Sequence, residues 1–189
     1  MNVQRVVNDV MSSVTYIISQ NGFDNVWLID CGSVEGIKAH ITNKKVSGVL
    51  LTHTHYDHLY GLQTIIRLFP DCKIFTNKAG VIGLSSSILN LSKYFSDPVI
   101  IQGDYIEVVK EGDSIELFPG INANVLETPG HNPSCLCFEV FRYLFTGDAY
   151  IPGYKTVTNF SGADKEQSQR SFFRIKALAE EYNVCPGHA

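Results

Sequence analysis

Four short polar runs, each placed where an apolar strand-like segment ends, constrain this chain more than any other feature of it. The first is Thr52-His53-Thr54-His55-Tyr56-Asp57-His58, directly after Val49-Leu50-Leu51, and it holds three of the six histidines. The others are Thr128-Pro129-Gly130-His131, after an alternating run from Asn124, then Phe145-Thr146-Gly147-Asp148, then Cys185-Pro186-Gly187-His188. In each of these three a glycine allows a tight turn without steric penalty, so the His or Asp behind it projects from a sheet edge. A lone Gly-Asp is usually a turn with a solvated carboxylate, and a lone Gly-His a surface loop. One arrangement repeated at three strand ends, beside a His-rich run, points instead to side chains gathered around metal. Imidazole nitrogen and carboxylate oxygen bind zinc at roughly 2.0–2.2 Å, so the four such groups between His53 and His58 overcrowd one ion but serve two neighbours.

The rest of the chain divides into two strand-rich halves. Segments 14–19 and 26–29 read as strands, 34–43 as a short helix, and Leu59, Leu62, Ile65, Ile66 and Phe69 recur at helical spacing up to Pro70. Later, 106–108, 114–117, 124–126, 135–140 and 143–145 read as strands, and 164–182 as a helix carrying Phe172, Phe173, Ile175, Leu178 and Ala179 on one face. This order predicts an α/β (α+β) fold in which two packed mixed sheets have helices outside, a four-layer αββα sandwich with the metal ligands along one open edge.

At 189 residues, 44% of them hydrophobic and with no low-complexity stretch, the chain is expected to form one domain over 1–189 with a substantial core. A net charge of −4 with scattered lysines and arginines argues against a nucleic-acid surface. Asn8, Asp9, Ser12 and Ser13 interrupt any apolar leader, and no run approaches the roughly 18–20 apolar residues of a membrane span. Five cysteines, odd in number and without a CxxC pair, fit free thiols in a reducing compartment, so a cytoplasmic location is expected. Cys135 and Cys137 alternate on a strand and are expected to pack on one side of it. Cys31 and Cys185 are read as packing too.

Taken in order, these motifs resemble those of the metallo-β-lactamase-fold superfamily. Leu28-Ile29-Asp30-Cys31-Gly32 is similar to its first strand end, His53-Thr-His55-Tyr-Asp57-His58 to its signature, and His131, Asp148 and His188 to its remaining motifs. The resemblance implies one metal on His53, His55 and His131 and a second on Asp57, His58 and His188, with Asp148 and a water or hydroxide bridging them. It places Asp30 behind the ligands, orienting the histidine loop. The bridging Asp148 is absent from true zinc β-lactamases, and His55 stands where flavo-diiron proteins have Glu. The likeness is therefore to the hydrolase branch typified by glyoxalase II.

That branch implies two divalent ions, zinc most of all with iron or manganese compatible, and attack of a metal-bound hydroxide on a small thioester, lactone or related ester. Asp57 is the residue that can also relay the proton of the attacking water. A small-molecule substrate is expected, with no nucleic-acid or membrane partner. Two other readings stay open: a mononuclear iron oxygenase of the persulfide dioxygenase kind, using His53, His55 and Asp148, and an RNA-processing nuclease or non-catalytic scaffold. Long-form glyoxalase II takes glutathione with a further C-terminal domain, so the acyl group is left open. His188 stands one residue from the end of the sequence, and terminal segments fray unless tied down. The second metal is accordingly expected to be the more weakly held.

Overall fold

A computed structural model describes residues 1–189. The first sheet runs in sequence order: β1 (Asn2–Val7), β2 (Val14–Ser19), β3 (Asn25–Ile29), β4 (Lys45–Leu50), β5 (Lys73–Thr76) and β6 (Ile106–Val108). Its first three strands pair antiparallel and the rest parallel. In the second sheet the order is β11 (Asn183–Pro186), β10 (Tyr143–Gly147), β9 (Leu136–Val140), β8 (Ile121–Glu127) and β7 (Ser114–Phe118), antiparallel except for β10 with β11. Helices α1 (Val34–Lys38), α2 (Leu62–Leu68) and α3 (Lys78–Leu84) belong with the first sheet and α4 (Lys165–Leu178) with the second.

The pleat sorts side chains into three cores and so produces the four layers. Tyr16, Ile18, Trp27, Ile29 and Leu50 point from the first sheet into a central core, where they meet Ile115, Val125, Phe138 and Phe145 of the second. Their neighbours in sequence, Ile17, Val26, Leu28 and Val49, point the other way and pack on Ile37, Leu62, Ile65 and Leu84 of α1–α3. Because both faces of these strands are buried, they read as unbroken apolar runs rather than as alternation. The Trp27 indole N–H donates to the Leu117 carbonyl at 2.7 Å and ties the sheets together. On the far side Cys135, Cys137 and Leu144 pack against Ile175 of α4, so the paired cysteines do share one face. All five cysteines are free and buried.

The structure corrects several of the sequence readings. Helix α1 stops at Lys38 rather than running to residue 43, where Asn43 is left-handed at φ 59°. Helix α4 ends at Leu178, and Asp164 caps it by accepting from Gln167 N–H at 2.9 Å. Phe173 is 60% exposed and does not join Ile175 on the inner face, since two residues along a 3.6-residue turn lie nearly on opposite sides. Strands β1 and β5 and helix α3 were not expected. Two glycines lower the helix propensity of α3, yet Gly83 is needed there: a Cβ would fall 2.2 Å from Thr54 Oγ1 in the histidine loop. No helix is long and apolar enough to cross a membrane.

Candidate metal centre

The histidine run leaves the C-terminal end of β4, an interior strand of the first sheet, and is held by bonds to its backbone. Asp30, at the end of β3, adopts φ 59° and turns its carboxylate inward. One oxygen accepts from Thr52 N–H at 2.7 Å and the other from the Thr52 hydroxyl at 2.8 Å. Thr54 N–H donates to Ser134 Oγ at 3.1 Å, Leu136 N–H to the Thr52 carbonyl at 2.7 Å, and Cys31 N–H to the His58 carbonyl at 2.7 Å. Tyr56–His58 form one 3₁₀ turn, which swings Asp57 and His58 to the same side.

All seven candidate ligands come together. His53, His55 and His131 form one group, Asp57, His58 and His188 another, and His53, His58 and Asp148 a third that lies across them, with the ligand atoms of each within 4.8 Å of one another. Asp57 Oδ2, His58 Nε2 and His188 Nε2 make a triangle with edges of 3.3, 3.3 and 3.4 Å. Four ligands placed tetrahedrally about 2.1 Å from zinc are about 3.4 Å from each other, so this is the spacing of one face of such a shell. In the other group His55 Nδ1 lies 3.0 Å from His131 Nε2. Asp148 reaches both: Oδ1 is 3.5 Å from His58 Nε2, and Oδ2 is 3.2 Å from His188 Nε2 and 3.6 Å from His131 Nε2. His53, His55 and Asp148, the set implied by the iron-oxygenase alternative, do not form one of these groups together, although His53 shares a group with each of the other two.

Four of the five imidazoles are oriented from behind through Nδ1. His58 Nδ1 is 2.9 Å from Asp30 Oδ2, His131 Nδ1 donates to the Val157 carbonyl at 2.8 Å, and His188 Nδ1 to the Met11 carbonyl at 3.0 Å. His53 Nδ1 lies 3.2 Å from the Thr52 hydroxyl, whose proton goes to Asp30. In all four the Nε2 atom is thereby left facing the cluster. His53 Nε2 and Asp148 Oδ1 are buried without a partner. A buried imidazole nitrogen and a buried carboxylate oxygen, from the ends of strands in different sheets and both without a hydrogen bond, fit a site built for cations.

The electrostatics agree. Burial and the neighbouring imidazoles hold His53 well below the usual histidine range, and His55 is pushed down to about 3 for the same reasons. Burial also lowers His131. These three are neutral and ready to ligate. Burial opposes charge on His58, but Asp57, Asp148 and Asp30 outweigh it and raise His58 well above its ordinary value; His188 is raised by Asp148 in the same way. Burial likewise works against Asp57 and Asp148, yet the surrounding imidazoles keep both carboxyls below their usual range. The raised values of His58 and His188 show that positive charge is favoured there, between the carboxylates of Asp57 and Asp148.

His188 is not at a loose end, contrary to the sequence expectation. Gly187 N–H donates to the Gly147 carbonyl at 2.9 Å, its carbonyl accepts from Val14 N–H at 2.8 Å, and Ala189 N–H donates to the Ser12 carbonyl at 3.1 Å. Gly187 is obligatory, because a Cβ there would lie 2.3 Å from Asp148 Oδ1 and 3.0 Å from the His58 ring. Tyr56 stacks on Phe95 at 3.9 Å beside the outer core and so packs rather than lining the centre. Sequence reasoning missed Asn132, whose amide nitrogen is 3.0 Å from His55 Nε2, the Val157 carbonyl, and Phe160, which meets the His55 and His131 rings edge-on at 5.1 and 5.8 Å. Of these only Asn132, beside His131, carried a signal.

Comparison with known proteins places this geometry in a lineage. A hydroxyacylglutathione hydrolase of Hydrogenovibrio crunogenus is 27% identical over 184 residues, which cover 92% of this chain and 58% of that protein. The chain thus spans less than two thirds of the length of this relative. The crystal structure of BLEG-1 B3 metallo-beta-lactamase superposes with TM-score 0.85 at 18% identity, covering 100% of this chain and 92% of the other. TTHA1623 in a di-iron-bound form gives 0.82 at 23%, covering 99% and 92%. These two show a shared fold. The family's own sequence pattern matches residues 8–188, every candidate ligand included, and the chain belongs to the metallo-beta-lactamase superfamily.

Proposed function

We propose that the chain is a metal-dependent hydrolase that holds two divalent ions, zinc before iron or manganese, and cleaves a small thioester, lactone or related ester. His53, His55 and His131 would hold one ion, Asp57, His58 and His188 the other, and Asp148 both. Such a pair, when bound, lowers the pKa of a shared water toward neutrality and polarises a carbonyl oxygen. The observation that carries the reading is Asp148, whose carboxylate stands 3.6 Å from His131 in one group and 3.2 Å from His188 in the other.

The chain's own groups supply the remaining steps. Asp57, ionised and 10% exposed at the open edge, accepts the proton of the attacking water and passes it outward. Asp30 keeps His58 Nε2 turned to the centre, and Val157 does the same for His131. Phe160, against His55 and His131, shields one side from bulk water. The name of the curated relative, hydroxyacylglutathione hydrolase, supports a thioester substrate. Free buried cysteines fit a cytoplasmic setting.

Metal analysis of protein prepared with ample metal, followed by a panel of thioesters and lactones, tests this. Near two ions per chain and turnover of at least one substrate class are expected, with Asp148→Asn loosening the ions and lowering turnover by orders of magnitude while the fold persists. One iron per chain, with O₂ uptake on a persulfide and no hydrolysis, would replace the reading with the oxygenase one.

A further inference from the structure

The segment that follows Asp148 folds back beside α4 and leaves a cleft of about 730 Å³ between them. Three lysines line it, Lys155 from the segment and Lys165 and Lys176 from α4, and no carboxylate does. In a chain with 19 acidic and 15 basic residues, that is a local excess of one sign. The fold does not neutralise it. Lysines in ion pairs are Lys38 with Glu35 and Lys73 with Glu107, and Glu166, next to Lys165, turns to Arg170.

The walls are aromatic. Tyr150 lies against Phe172 with ring centroids 5.3 Å apart, and Phe172 meets Phe173 edge-on at 5.7 Å. Tyr154 and Phe173 remain 72% and 60% exposed at the rim. The volume falls within the roughly 300–1,000 Å³ of small-molecule sites. Lysine pairs with phosphate as a point charge, and exposed aromatic faces stack on planar rings.

We propose that this cleft binds a small organic anion that carries two or more phosphate groups and a planar ring, of the chemical class of a nucleoside diphosphate. The lysines take the phosphates, and Tyr154 and Phe173 take the ring. This site does not depend on the hydrolase reading, since none of these residues belongs to the metal groups.

Titration calorimetry of the metal-loaded protein with ADP tests it, with adenosine and pyrophosphate as comparators. ADP is expected to bind at least tenfold more tightly than either and to weaken as salt is raised. The triple variant Lys155→Ala, Lys165→Ala, Lys176→Ala, in exposed positions, should keep its metal and lose at least tenfold in ADP affinity, and Phe173→Ala should weaken ADP while leaving pyrophosphate unchanged. Phosphates also bind metal ions, so undiminished ADP binding by the triple variant would place the ligand at the metal centre and overturn the proposal. So would pyrophosphate or adenosine binding as tightly as ADP, or no heat with ADP at all.

Discussion

Replacing Asp30 by Asn changes a single atom at a position from which nothing can move away. Asp30 is 1% exposed and accepts from Thr52 N–H at 2.7 Å and the Thr52 hydroxyl at 2.8 Å, with His58 Nδ1 at 2.9 Å. If the amide oxygen keeps Thr52 N–H, the amide nitrogen falls where Oδ2 was and faces His58 Nδ1. Two donors cannot share that contact, so the imidazole is driven to the tautomer with its proton on Nε2, the atom aimed at Asp57 and His188. Loss of such an outer partner costs about 10–100-fold in metal affinity, or about 1.4–2.8 kcal/mol. The fold loses less than the roughly 1.5–3 kcal/mol of a bond to a charged group, because burial already pushes the Asp30 carboxyl up and Asn buries no charge. The loss should fall on one ion. His58 completes the group with Asp57 and His188, whereas His53 keeps its contact with the Thr52 hydroxyl, which can rotate. Competition with a graded chelator, read ion by ion, measures this, and urea unfolding of the stripped protein measures the fold. Equal loosening of both ions, or of neither, would refute the argument.

His188→Ala should lower the metal content from two to one while His53, His55 and His131 stay occupied; unchanged stoichiometry would mean His188 is no ligand. Gly187→Ala places a Cβ 2.8 Å from the Gly147 carbonyl carbon as well as on Asp148, and overpacking against backbone should cost about 1–3 kcal/mol and displace the carboxylate; a variant with wild-type stability and metal content would contradict this. Since His58 and His188 hold protons above the usual histidine range, metal binding at neutral pH should release protons and tighten as pH rises, as calorimetry in buffers of different ionisation enthalpy can show. In stripped protein the raised pair contributes stability that is full below the unfolded value and lost as pH rises through the folded one. His53, His55 and His131, held low, contribute stability that is full above it and lost as pH falls. The histidine contribution to stability should therefore be largest near the unfolded histidine value of about 6.5, and a difference between wild type and His58→Ala that does not shrink as pH rises to about 9 would count against these assignments.

The clustering of the candidate ligands was legible because they sit where strands end, and the sequence marks three of those ends with Gly130, Gly147 and Gly187. Less legible was what holds them. The Met11 carbonyl that orients His188 lies in a turn where Met11 and Ser12 both adopt left-handed backbone, at φ 54° and 55°, with no glycine to announce it. The Val157 carbonyl behind His131 belongs to a segment without periodicity. Helix α3 was hidden for a related reason: the same small residue that lets it approach Thr54 also weakens its local signal, so packing overrides propensity. Phe173 shows the opposite error, an apolar residue placed on the same helix face as Ile175 although helical geometry turns it outward.

These placements bear on what metal does for the molecule. The first sheet supplies His53, His55, Asp57 and His58, the second supplies His131, Asp148 and His188, and each three-ligand group draws on both. Cations would therefore join the two sheets at one edge only. Behind that edge lie 17 buried core residues between the sheets, the Trp27 bond to Leu117, and the backbone bonds that tie residues 187 and 189 to residues 14 and 12. None of these needs an ion. The apolar sandwich positions the candidate ligands, and the carboxylates of Asp57 and Asp148 have His58 and His188 beside them to offset their charge. The fold is the precondition of the centre, and loss of metal should cost function well before it costs structure.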